Sequence, residues 1–153
     1  VPVIFDPNVR PSIQGDKNLY RAAVERWIDV ATIVKLSEDD LNFLYAGESD
    51  SLVSSWLDRG VSIVVVTRAE KGLSAYSQGG VVEVPAVKVD LVDSVGAGDT
   101  IGAILVEGVL VHGVENLVGE RLKSVLSRAA KAAAITCSRA GANPPSREEL
   151  EAF

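Results

Sequence analysis

The chain has 153 residues, 47% of them hydrophobic and 24% charged, which suits one domain with a real core and excludes two full domains or a disordered chain. A formal charge of −6 argues against binding nucleic acid or an anionic membrane through general surface charge. Cys137 is the single cysteine, so an intrachain disulfide and a cysteine-based zinc site are excluded, and a reducing, cytoplasmic setting is expected.

Residues 2–6 read as a buried strand, stopped by Asp6-Pro7-Asn8 and Pro11. The chain holds no Met and opens directly on this apolar run, so it is expected to be part of a longer protein; no signal-peptide pattern precedes the strand. A loop runs to about Asp16. Leu19, Ala23, Val24, Trp27, Ile28 and Ala31 then recur at helical spacing, which predicts a helix over 17–31, with Trp27 and Trp56 in the core. Residues 31–36 return as a strand. Ser37 followed by Asp40 resembles a capping box opening a helix to about Gly47, and a further helix covers 51–58.

The Val-rich run 61–67 predicts a central strand. Residues 73–77 and 81–84 flank Gln78-Gly79-Gly80 and predict a hairpin, with a last short strand at 87–91. Helices are expected over 99–111 and 116–138, and Ser146 with Glu149 caps a final one. His112 falls at a helix C-terminus, and Cys137 reads as a small buried hydrophobe. The stretch 101–111 is the most apolar, yet far short of the roughly 20 residues that cross a bilayer. Alternating strands and helices predict an α/β fold, a mostly parallel sheet flanked by helices with a small antiparallel hairpin.

The run Asp93-Ser94-Val95-Gly96-Ala97-Gly98-Asp99-Thr100 joins the expected last strand to a helix. Glycines there let backbone approach a ligand, and the first helical turn offers unpaired N–H groups and the positive end of a dipole. Together these would make an anion cradle. With a phosphoryl group in it, Asp99 is placed to take a proton from an attacking hydroxyl. A carboxylate of pKa about 4 is a weak base, but a loose phosphoryl transition state releases its proton late. The alternative is that Asp99 only caps the helix and the glycines only shape a turn. A dinucleotide fingerprint fits poorly, because Gly102 comes one residue late and Val118 stands about 20 residues beyond Gly98, where an acid is needed. No Walker-type Gly-x-x-x-x-Gly-Lys string is present.

The same run, extended to Val92, resembles the Asp-Thr-x-Gly-Ala-Gly-Asp signature of the ribokinase-like (phosphofructokinase-B type) sugar kinases. Three more segments are similar to that family in its own order: Phe5-Asp6-Pro7-Asn8-Val9-Arg10-Pro11, Val34-Lys35-Leu36-Ser37-Glu38-Asp39-Asp40 and Thr67-Arg68-Ala69-Glu70-Lys71-Gly72. The nearest branch is the fructokinases. The resemblance implies ATP-dependent phosphorylation of a sugar hydroxymethyl group, with Asp99 as base and the amides of Gly96, Ala97 and Gly98 as anion hole. It further implies Lys35, Thr67, Ala69, Gly72, Gly98 and Asn143 at the nucleotide, and Arg10 with Asp99 at the sugar. Asp40 would help hold Mg²⁺ through water, and Asp93 with the Val95 carbonyl would lie at a K⁺ site.

Ala69 stands where the family has Gly, and Ser37 and Asp40 where it has Asn and Glu. The family's early half, with its sugar-binding glycines and small β lid, has no counterpart here. Residues 1–153 are therefore expected to be the nucleotide-binding C-terminal portion of such a kinase, incomplete on its N-terminal side and poorly active alone. The intact protein would be a homodimer through the missing lid, with no nucleic-acid or membrane partner. The competing expectation is a non-catalytic nucleotide- or dinucleotide-binding module.

Overall fold

Two runs of β-branched residues set the middle of the sheet. In the computed structural model, which describes residues 1–46 and 49–153, they form β2 (Ile33–Ser37) and β3 (Ile63–Thr67), each buried at its first four positions. β1 (Ile4–Phe5) pairs in parallel with β2 through Ile4 opposite Ile33, and β2 pairs in parallel with β3 from Ile33 opposite Ile63 to Ser37 opposite Thr67. With β4 (Leu73–Ser77) and β5 (Gly80–Val84) the strands follow the order β1-β2-β3-β4-β5. The two-residue connection between β4 and β5 makes that pair an antiparallel hairpin.

The chain divides into two compact units, Val1–Thr67 with Ala75–Val81, and Arg68–Ser74 with Val82–Phe153. In the first, α1 (Lys17–Ile28) is capped by Asp16, whose carboxylate accepts the N–H groups of Asn18 and Leu19. α2 (Glu38–Tyr45) opens with the full capping box, Ser37 and Asp40 exchanging bonds, and α3 (Ser49–Asp58) follows. Alternation along the strands sends Val34, Leu36, Val64 and Val66 into one cluster with Val24, Ile28, Leu44 and Trp56. Burying each of these large side chains contributes roughly 1.5–3 kcal/mol.

In the second unit α4 (Ala97–His112), α5 (Gly119–Cys137) and α6 (Arg147–Ala152) pack together. Gly108 lets α4 and α5 approach: a Cβ there would lie 2.9 Å from a Val125 methyl. His112 is the last residue of α4, and Ser146 and Glu149 form their capping box. Among the described residues no helix is long and apolar enough to cross a membrane.

The α/β class and the hairpin stand as expected, but several local expectations do not. Residues 87–91 form no strand: they alternate, but among the described residues no neighbouring strand pairs with them, and Leu91 is 71% exposed. α1 stops at Ile28 rather than 31, because the chain turns there, with the Ala31 N–H bonding back to Trp27 and Ile28. Trp27 is not in the core; it is 54% exposed and stacks on Phe5, whereas Trp56 is fully buried. α5 begins at Gly119, after a 3₁₀ turn at Val114–Asn116. Cys137 is only half-buried, and burial, then the charge of Asp93, pushes its thiol pKa up. The expected end of α2 at about Gly47 lies outside the described residues.

Candidate functional site

The glycine run forms a turn held at both ends. Its entry is fastened by the N–H groups of Val92 and Asp93, which both donate to the Cys137 carbonyl at 2.8 and 3.1 Å. Asp93 then spans two segments, accepting the Val95 N–H at 3.0 Å and the Gly141 N–H at 2.9 Å. Those two amides hold its carboxyl below the usual carboxylate range. Gly96, at φ 82°, is the N-cap of α4, and a Cβ there would lie 2.8 Å from that of Ala142. The position therefore requires glycine for its backbone angle and for its close neighbour.

Asp99 is thus the third residue of α4 and not its cap, which removes the simplest structural reading of that acid. It is exposed and lines a cleft of about 530 Å³ with Gly96, Thr100, Ala103 and Ala142. The Ala97 N–H makes a long 3.3 Å bond to the Ser94 carbonyl. The N–H groups of Gly98 and Asp99 have no acceptor among the described residues, as helical geometry dictates for a first turn. A turn with open amides beside one acid can hold an anion and accept a proton.

Other candidates in this unit lie on two loops. Ala69 and Gly72 belong to a tight turn in which the Arg68 N–H reaches the Gly72 carbonyl at 2.8 Å. Ala69 has φ 47°, the left-handed angle that favours glycine, so the alanine is strained there. Gly72, at φ 99°, could accept no side chain: a Cβ would sit 2.1 Å from the Val84 carbonyl oxygen. Exposed Asn143 turns back to the Gly141 carbonyl at 2.9 Å.

Arg10, Lys35, Asp40 and Thr67 belong to the first unit. Lys35 is neither at a strand end nor exposed; it is the third residue of β2, buried, with its ammonium 2.6 Å from Asp6. The parallel register explains the pair, since Ile4 opposite Ile33 and Phe5 opposite Val34 carry Asp6 to Lys35. Sequence reasoning missed Asp6 as this partner, and the matched register was the signal. Asp40 accepts the Val9 N–H at 3.2 Å and the Ser37 N–H at 3.0 Å, tying the Arg10 loop to α2. Arg10 itself is exposed, its guanidinium bonded to the neighbouring Val9 carbonyl. Thr67 ends β3 opposite Ser37. Among the described residues no three His, Cys, Asp or Glu side chains gather to hold a metal ion.

Residues 2–149 match the pfkB family carbohydrate kinase model. A fructokinase of Rhizobium leguminosarum bv. trifolii is 40% identical over 102 residues, 66% of this chain and 31% of its own length. One from Klebsiella pneumoniae is 32% identical over 154 residues, 97% of this chain and 50% of its own. Fructokinase from Vibrio cholerae O395, solved with fructose, ADP and calcium ion, superposes with TM-score 0.83 at 27% identity, covering 99% of this chain and 50% of that one. A double-mutant form with fructose, ADP and potassium ion gives 0.85 at 28% identity, with the same coverage. The chain thus spans about half the length, or less, of the relatives it matches.

Proposed function

The chain belongs to the pfkB family of carbohydrate kinases, and on that premise we propose that the protein carrying it transfers the γ-phosphoryl group of ATP to the hydroxymethyl oxygen of a fructose-like sugar. The observation that carries the reading is the α4 N-terminus, where the open amides of Gly98 and Asp99 and the Asp99 carboxylate lie together. The amides of Gly96, Ala97 and Gly98 receive the phosphoryl oxygens; the Ala97 N–H shares its proton with the long turn bond to Ser94. The sugar oxygen bonds to the γ-phosphorus, the bond to the ADP oxygen breaks, and the hydroxyl proton passes to Asp99.

The assignment of Thr67, Ala69, Gly72 and Asn143 to the nucleotide, and of Arg10 with its fork of donors to the sugar, rests on the family resemblance; Thr67 and Arg10 belong to the first unit and the others to the second. No nucleotide contact is assigned to Lys35, whose ammonium Asp6 already holds.

The donor set fits Mg²⁺ only weakly. No carboxylate cluster is present among the described residues, and both oxygens of Asp40 accept amide protons. On the family resemblance, Asp40 would help hold such an ion through water, with the nucleotide's phosphates supplying oxygens. When bound there, the ion neutralises charge on the phosphates. Asp93 and the Val95 carbonyl are the candidate K⁺ ligands, with the Asp93 carboxylate held ionised by its two amides.

Asp99→Asn tests the assignment. Sugar phosphorylation is expected to fall by about 10²–10⁴-fold while ATP affinity stays within about twofold. Unchanged turnover would refute the assigned base.

A further inference from the structure

Behind the glycine turn lies a pair of buried hydroxyls that neither the family match nor the reading above uses. Thr136 on α5 is fully buried and Thr100 on α4 nearly so, with their Oγ1 atoms 3.0 Å apart. Thr100 Oγ1 is 2.9 Å from the Gly96 carbonyl, which also accepts the Thr100 N–H at 2.9 Å. Thr136 Oγ1 is 3.0 Å from the Ala132 carbonyl. Two hydroxyl protons therefore serve three contacts. If each pointed at a carbonyl, the two hydroxyl oxygens would face each other lone pair to lone pair in a dry interior.

The Ala132 carbonyl within α5 and the Gly96 carbonyl each already accept a helical backbone N–H, the latter from Thr100 at 2.9 Å, and either hydroxyl can be the donor between the pair. The Gly96 carbonyl belongs to the left-handed cap from which α4 starts. We propose that Thr136 is a positioning residue: it donates to Thr100, which donates to the Gly96 carbonyl, and this relay from α5 fixes the peptide whose other side leads to the Ala97, Gly98 and Asp99 amides. With that carbonyl held inward on the helix axis, the first-turn N–H groups keep a single direction. The proposal rests on the phosphoryl-transfer reading for its catalytic consequence, and on the hydrogen-bond geometry alone for its structural one.

Thr136→Val keeps the shape and removes the hydroxyl, and Thr136→Ser restores it. In the full-length protein, Thr136→Val is expected to lower kcat about five- to tenfold, the worth of one buried hydrogen bond, with KM for ATP and for fructose within about twofold. Thr136→Ser should recover most of the loss. A kcat unchanged in Thr136→Val, or a loss that Thr136→Ser does not recover, overturns the catalytic claim.

Amide hydrogen exchange supplies an arm that needs no turnover. Exchange at the Thr100 N–H, which bonds the Gly96 carbonyl, should speed about five- to tenfold in Thr136→Val and return in Thr136→Ser. Unaltered exchange overturns the positioning itself. A wild type that phosphorylates no sugar but shows this exchange response would sink the kinase reading and leave the relay standing.

Discussion

Ala69 and Gly72 occupy one tight turn, both at positive φ, and they invite opposite substitutions. At φ 47° the Ala69 Cβ crowds its own backbone, a cost of roughly 1–2 kcal/mol that glycine does not carry. Glycine returns part of that gain by loosening the unfolded chain. Ala69→Gly is therefore expected to stabilise the chain by about 0.5–1 kcal/mol, read as a higher urea midpoint at unchanged slope. A lower midpoint would show that the turn is not strained. Gly72→Ala drives a Cβ to 2.1 Å from the Val84 carbonyl oxygen and 2.7 Å from the Ala86 nitrogen, and both obstacles are backbone. We expect a loss of more than about 3 kcal/mol, or no folded protein, in the same titration.

The α2 capping box illustrates what local chemistry decides. Ser37 and Asp40 are three residues apart, so their exchange of bonds needs nothing beyond its own turn, and the pattern was legible in the sequence. Ser37→Ala is expected to cost about 1 kcal/mol. Asp40→Ala should cost more, because Asp40 also holds the Val9 N–H; equal losses from the two variants in a urea titration would show that bond to be idle. Residues 87–91 failed as a strand for the opposite reason: alternation is a local property, but a strand exists only when another offers its edge. The start of α4 was misplaced by two residues because Ala97 and Gly98 carry no helix-starting signal; the left-handed angle at Gly96 sets the boundary. Trp27 and Trp56 share helical, apolar surroundings in sequence, and only packing separates the exposed one from the buried one.

Across the whole chain, the contacts that assemble the candidate site are the ones the sequence hides. Asp93 meets Gly141 from 48 positions away, and Thr100 meets Thr136 from 36. The glycine turn and Asp99 were legible because their residue types are contiguous, and the two bonds that steady them were not. Hydrogen-bonded carboxylates in each unit contribute to the chain's response to acid. In the first unit burial opposes the ionisation of Glu25, but hydrogen bonds from Tyr45 and Arg59 outweigh it and hold its pKa below the ordinary value. In the second unit the Val95 and Gly141 amides do this for Asp93, and Arg139 followed by the Ser146 N–H does so for Glu149. A depressed folded-state pKa means that the unfolded chain takes up protons first. The stability these groups contribute is complete above the ordinary carboxylate value of about 4 and is lost as pH falls through their lower folded values. Relief of negative charge on the surface acts in the other direction only down to the isoelectric point of about 4.8; below it the chain turns net positive and self-repulsion adds to the loss. Urea midpoints are therefore expected to hold nearly level from about pH 7 to 5 and to drop below about 4. Glu25→Gln should lower the midpoint at neutral pH, and the gap should narrow towards pH 3 as Glu25 takes up its proton below the ordinary carboxylate value. A gap of the same size at both pH values would show that Glu25 contributes through packing and not through its charge.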